Sequence, residues 1–109
     1  MRERHRFDLE KLRIDITTGL RPLRITTHAQ VEAFKDGLTL ADLRYTFEHG
    51  ALIEAYPDEN RGLLYANVPT IAMAVHIVLE DTPTQGVIVT AYVPDRRLWI
   101  ENRSRKPKR

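Results

Sequence analysis

The sequence predicts an α+β domain in which two or three N-terminal helices pack on an antiparallel sheet of about four strands. Two observations support this fold class. Residues 1–50 carry helix start and stop signals at helical spacing, whereas residues 51–100 contain consecutive short runs rich in β-branched residues, separated by turn sequences. Helices that precede a series of strands favour an antiparallel sheet with the helices on one face.

Two short helices are predicted between residues 27 and 50. Thr27 is expected to cap the first helix, and Gly37 to end it. Thr39 is expected to cap the second helix, with Asp42 at the third helical position, and Gly50 to end it. The short spacing between the two helices predicts a tight corner.

The segment 8–18 is compatible with two structures. Leu9, Leu12 and Ile16 share one face of a helix. Leu12, Ile14 and Ile16 alternate with charged or polar residues, as in a strand. The pattern favours the helix but leaves the strand open.

Turn sequences divide the second half of the chain into strands, and periodic apolar positions predict the core. The predicted strands are residues 51–56, 63–68, 71–79, 87–93 and a short last strand at 98–100. The predicted core consists of Leu12, Val31, Phe34, Leu43, Phe47, Ile53, Val75, Ile77, Leu79, Val87 and Val89.

The composition indicates one globular domain, residues 1–109, with a core over about 9–101 and a basic tail over 102–109. Apolar residues make up 42% and charged residues 29% of the chain, as in ordinary globular proteins. The absence of cysteine excludes disulfides, thiolate–metal bonds and a thiol nucleophile. No apolar run approaches the roughly 18 residues of a membrane span. We therefore expect a cytoplasmic protein that does not contact a membrane.

Charge is distributed unevenly along the chain. Residues 25–95 carry 3 Lys/Arg against 10 Asp/Glu, a net charge of −7, whereas residues 96–109 carry 7 against 1, a net charge of +6. The overall net charge of +2 conceals this division. The basic tail, rather than the acidic body, is the expected contact for RNA or for an acidic partner.

Two histidines are candidates for proton transfer. His28 falls in the first turn of a predicted helix, where the helix dipole favours the neutral imidazole, although a surface histidine without function fits the same position. His76 is predicted on the polar face of a strand. A symmetric hairpin places it opposite Thr90, with Tyr92 as its diagonal neighbour. The alternative is a half-exposed polar face with no activity.

Six motifs follow one another along the chain in an order that resembles the prokaryotic family called domain of unknown function 4258. The resemblance extends over about residues 9–106. The motifs are Thr27-His28-Ala29, Glu54-Ala55-Tyr56-Pro57, Val75-His76-Ile77-Val78, Val89-Thr90-Ala91-Tyr92-Val93-Pro94, Trp99 and Arg103-Ser104-Arg105-Lys106.

The resemblance implies a RelE-like fold, because this family is often grouped with the RelE/ParE-like toxins of toxin–antitoxin pairs. Some of those toxins cleave messenger RNA at the ribosome without metal, and others poison gyrase. An antitoxin or another protein partner is therefore implied, and RNA is implied as a ligand of the basic tail. The sequence departs from RelE-like ribonucleases in its acidic body, where those proteins are strongly basic.

RNA cleavage without metal requires a base for the 2′-hydroxyl, an acid for the leaving oxygen and a cation for the charge of the phosphorane. The candidate catalytic residues are His28, His76 and Tyr92, and the candidate binding residues are Glu54, Thr90, Arg103, Arg105 and Lys106. The histidine spacing predicts no metal site, and we expect no cofactor. The alternative function is a non-enzymatic interaction module that docks a protein or nucleic acid through its basic tail or a sheet edge.

If the tail binds nucleic acid, the affinity should fall steeply with salt, because bound cations release counterions from phosphate. About five contacts predict a log–log slope near −4 to −5 on duplex DNA. Deleting residues 103–109 should flatten this slope in a filter-binding or fluorescence titration. Equal binding by the truncated and complete chains would place the site on the acidic body instead.

Overall fold

A computed structural model describes residues 5–95, 99–100 and 104–105, which form an α+β fold. The three helices are α1 (Leu9–Thr17), α2 (Thr27–Lys35) and α3 (Leu40–His49). The strands are β1 (Leu23–Ile25), β2 (Ala51–Tyr56), β3 (Arg61–Val68), β4 (Met73–Asp81), β5 (Gly86–Tyr92), β6 (Trp99–Ile100) and β7 (Ser104–Arg105), and a single 3-10 turn (Pro57–Glu59) joins β2 to β3.

The main sheet has five strands in the order β1-β5-β4-β3-β2. Strands β2 to β5 form an antiparallel meander, and β1 pairs in parallel with β5. The predicted α+β class is confirmed, but the sheet is mixed and contains one strand that the sequence analysis missed. Strands β6 and β7 form a separate pair, so part of the predicted basic tail, Ser104–Arg105, is a strand.

Local capping explains where the helices begin. The segment 8–18 is helical, as the pattern favoured, and the Asp8 carboxylate caps α1. Thr26, rather than the predicted Thr27, caps α2 by accepting a hydrogen bond from the amide of Ala29. The predicted capping box of α3, between Thr39 and Asp42, is present in both directions. Across the described part of the chain, each helix is too short or too polar to cross a membrane.

The core lies between the helices and one face of the sheet. Seven of the predicted core residues are buried: Leu12, Leu43, Phe47, Val75, Ile77, Leu79 and Val87. Gly86 allows α1 to approach the sheet closely, since a Cβ there would lie 2.8 Å from the Cδ1 of Ile16.

The prediction was wrong for α2, where Val31 and Phe34 are 46% and 62% exposed. Ala29 and Ala33 face the sheet in their place, because α2 packs closely on β5 and small side chains fit there.

Two further predicted core residues, Ile53 and Val89, are only half-buried. Both lie where the pairing of neighbouring strands shifts by one residue. Ile53 lies at the shift between Leu52 and Glu54 of β2. Val89 lies on β5 at the shift between Val78 and Leu79 of β4. A bulge inserts an extra residue and disturbs the alternation of faces, which explains their incomplete burial.

A buried carboxylate joins distant parts of the chain. Asp81, 1% exposed, accepts a hydrogen bond at Oδ1 from Nη1 of Arg21 at 2.7 Å, and Nε2 of His5 lies 2.8 Å from the same oxygen. Its Oδ2 accepts from the amide of Asp8 at 2.9 Å. Arg21 also binds Asp15 through Nε at 2.8 Å. This cluster fixes the N-terminal segment, α1 and the entry to β1 against the end of β4.

Truncating the two phenylalanines on neighbouring helices should have opposite consequences. Phe47→Ala removes a fully buried ring and should lower the free energy of unfolding by about 3–5 kcal/mol. Phe34→Ala removes an exposed ring and should change it by less than about 0.5 kcal/mol. Urea unfolding followed by circular dichroism measures both. Equal losses from the two substitutions would contradict the orientation of α2.

Candidate functional site

The sheet face that points away from the helices carries the candidate residues. Leu64, Ile77 and Ala91 form one cross-strand row against the helices. Since side chains alternate along a strand, their neighbours point to the opposite face. One row of that face contains Glu54, Leu63, Val78 and Thr90, and the next contains Tyr65, His76 and Tyr92.

An open groove of about 470 Å³ lies at this face. Its lining residues are His28, Tyr56, Glu59, Arg61, Val78, Val89 and Thr90. His28 reaches the groove because the start of α2 is bound to β5. The amide of Thr26 donates to the carbonyl of Ile88 at 3.1 Å, and the Thr26 hydroxyl donates to that of Val89 at 3.2 Å.

Arg61 supplies a cation to the groove. Its Nε donates to Glu80 at 2.9 Å, and its Nη1 lies 3.7 Å from a carboxylate oxygen of Glu59. Arg61 was not among the site residues predicted from the sequence. The signal that could have revealed it is its position directly after the turn 57–60, where strand pairing places it opposite Tyr56.

Tyr56 and Glu54 form a pair on the neighbouring edge strand. The Tyr56 hydroxyl donates a hydrogen bond to the carboxylate of Glu54. Both residues lie on the groove side of β2, so Glu54 is connected to the groove through Tyr56. Glu54, a candidate binding residue from the sequence, therefore lies on the same sheet face as the groove.

His76 is fully buried, which the predicted half-exposed face did not anticipate. Its Nδ1 lies 3.3 Å from the Tyr92 hydroxyl, and the two ring centroids are 5.3 Å apart. Tyr65 packs edge-on from the other side, with its centroid 6.0 Å from that of His76. The imidazole is therefore enclosed by two tyrosine rings.

The predicted register of this hairpin was wrong by two residues. His76 pairs with Tyr92 directly, whereas Thr90 pairs with Val78. One residue of the difference arises at the loop, where Asp81 pairs with Gly86, and the other arises from the bulge at Val89; a symmetric hairpin predicts neither. Because a shift of two preserves the alternation of faces, His76 and Tyr92 still share the predicted face.

The structure brings some predicted site residues together and separates others. His28 and Thr90 line one groove, and His76 and Tyr92 form a pair in the next row of the same face. Arg105 lies in β7, and Arg103 and Lys106 fall outside the described residues. Within residues 5–95, no group of three or more His, Asp or Glu side chains is placed to hold a metal ion.

A family model described as a domain of unknown function (DUF4258) matches residues 25–93, which is more than half of the chain. The chain belongs to the DUF4258 family. No curated protein and no solved structure matches it.

The DUF4258 match extends from the end of β1 to the residue after β5. It includes the groove and the pair formed by His76 and Tyr92. His5 and Arg21, the two side chains bound to Asp81, precede it, as does α1. Trp99 and the motif at 103–106, which contributed to the resemblance, also lie beyond it.

Diethyl pyrocarbonate should distinguish the histidines of this DUF4258 domain. His28 and His49 are exposed and should react readily, whereas His76 is buried and reacts only when the sheet opens. Peptide mass spectrometry should therefore show modification of His76 slower by roughly two orders of magnitude or more. Equal rates at His28 and His76 would contradict the packing of the candidate face.

Proposed function

We propose that this DUF4258 chain is a RelE/ParE-like, toxin-type domain that cleaves RNA without a metal ion, with the groove as its active site. The observation that carries the proposal is the presence of an exposed histidine, His28, and a guanidinium, Arg61, in one groove. A proton acceptor and a cation are the two groups that this reaction needs most.

His28 is the base in the proposed reaction. It takes the proton of a ribose 2′-hydroxyl, whose oxygen then attacks the adjacent phosphorus. The bond from phosphorus to the 5′-oxygen breaks, which leaves a 2′,3′-cyclic phosphate and a 5′-hydroxyl end. The first turn of α2 supports this role, because it places an exposed imidazole in the lining of the groove, within reach of a bound ribose.

Arg61 and Tyr56 complete the proposed set. Arg61 stabilises the negative charge of the phosphorane, for which it must exchange its contact with Glu80 for one with phosphate. The Tyr56 hydroxyl exchanges its hydrogen bond to Glu54 for one to the leaving 5′-oxygen, donates its proton there and takes another from solvent. His28 releases the proton it accepted to solvent.

Tyr92 and His76, candidate catalytic residues from the sequence, contact each other instead, with the Tyr92 hydroxyl next to His76. We therefore propose that this pair supports the neighbouring row of side chains that contains Thr90.

A second candidate function, a non-enzymatic interaction module, is favoured by one observation. Strand β2 lies at the edge of the main sheet, and β3 is its neighbour there. An edge strand offers backbone hydrogen-bonding groups to an added strand. A protein partner, such as an antitoxin in the toxin reading, would bind there without any chemistry in the groove.

Replacing His28 should separate the two functions. His28→Ala should reduce RNA cleavage by about 10²–10⁴-fold, because general acid–base catalysis contributes that much. His49→Ala is the matched control, since His49 is also an exposed histidine but lies at the end of α3. Cleavage of a defined RNA by purified protein measures the rate, and growth after induced expression measures toxicity.

The ribonuclease proposal fails if the complete chain leaves RNA intact, or if His28→Ala cleaves as fast as His49→Ala. Binding of a partner that is retained in His28→Ala and lost on substitution of β2 residues would then identify the interaction module.

A further inference from the structure

The groove contains a carboxylate that phosphate chemistry does not explain. The side chain of Glu59 is 63% exposed, and its ion pair with Arg61 is long, at 3.7 Å. A second carboxylate, Glu80, already neutralises Arg61 at 2.9 Å. An additional negative charge repels an RNA backbone, so Glu59 lowers the affinity for phosphate unless it contacts another part of the nucleotide.

A carboxylate can contact a nucleobase favourably when the base presents hydrogen-bond donors. An ionised carboxylate has two acceptor oxygens and no donor. Guanine presents two adjacent donors, N1–H and N2–H, which match both oxygens at once. Adenine and cytosine each place an acceptor beside their amino donor, and uracil offers a single N–H between two carbonyl oxygens. A carboxylate in this position therefore selects guanine.

We propose that Glu59 reads a guanine base, which makes the groove a guanine-specific site for RNA. This inference rests on the proposed function for the cleavage step, but the base-binding step stands independently of it.

Local structure holds Glu59 in place. It ends the 3-10 turn Pro57–Glu59, whose first residue is a proline with a fixed φ. The next residue, Asn60, adopts a left-handed conformation with φ 54°, and its amide donates to the carbonyl of Pro57 at 3.2 Å. Both features restrict the backbone of the turn, which presents the Glu59 side chain at the rim of the groove.

The groove offers an apolar surface for the base beside this carboxylate. Val78 and Val89 line it from two neighbouring strands. Val89 is the bulged residue of β5, and the bulge leaves it half-buried at the groove. A purine resting on these valines presents its polar edge to Glu59, while the attached ribose and phosphate extend toward His28 and Arg61.

Binding of nucleotide 3′-monophosphates to the complete chain tests the proposal without requiring cleavage. Guanosine 3′-monophosphate should bind roughly 5- to 100-fold more tightly than the adenosine, cytidine and uridine compounds, the discrimination expected of one bidentate contact. Titrations followed by NMR should show shifts at the amides of residues 59–61 and 89–90. Glu59→Gln should abolish the preference, because its amide presents one acceptor and one donor.

Glu32→Gln is the matched control, since Glu32 is an exposed glutamate on α2 whose ion pair is with Lys35. It should retain the preference for guanosine 3′-monophosphate. Equal affinities for the four nucleotides, absence of binding, or an unchanged preference in Glu59→Gln would overturn the proposal. A guanine preference without RNA cleavage would support the base site and reject the ribonuclease function, so the two failures are distinguishable.

Discussion

The carboxylate of Asp81 is the point at which the N-terminal part of the fold is attached to the sheet. It receives the Arg21 guanidinium, the His5 ring and the Asp8 amide while almost completely buried. A buried charge is tolerated only when partners satisfy it, and removing one partner leaves the other unpaired at high cost. Because the partners come from three separate places in residues 5–21, a single side chain fixes His5, the start of α1 and the turn before β1.

The position of the groove follows from this attachment. Arg21 directly precedes Pro22 and β1, and the carbonyl of Pro22 accepts from the amide of Gly86 at 3.0 Å. Strand β1 then pairs with β5 and delivers Thr26, the cap of α2, to the backbone of β5. His28 follows two residues later at the groove. The proposed site thus combines one face of the antiparallel strands with the start of α2. The location of that helix start depends on the buried ion pair between Arg21 and Asp81.

The features set by residues close together in the chain were predicted from the sequence. The features set by contacts between distant residues were not. The capping box at Thr39 was readable because its two partners are three residues apart. The buried face of α2 could not be predicted in this way, because Ala29 and Ala33 form one apolar strip of the helix and Val31 and Phe34 form another. Only the close approach of α2 to β5 decides which of the two strips is buried. Strand β1 has three residues, too few for a period to emerge. In the candidate site, His28 and Thr90 were each named from the sequence, but their meeting in one groove depends on how α2 docks on β5. Arg61 and Glu59 depend on the geometry of a turn.

Asp81→Ala tests most directly whether the buried carboxylate organises the fold. Since Arg21 keeps its bond to Asp15, the loss should lie near the lower end of the range for a broken buried pair, about 3 kcal/mol in the free energy of unfolding. Asp58→Ala, at an exposed aspartate, is the matched control and should change it by less than about 0.5 kcal/mol. Urea unfolding of the two variants and the unmodified chain provides the measurement. A loss near 3 kcal/mol confined to Asp81→Ala is the predicted result, and equal stability of the two variants would contradict the account.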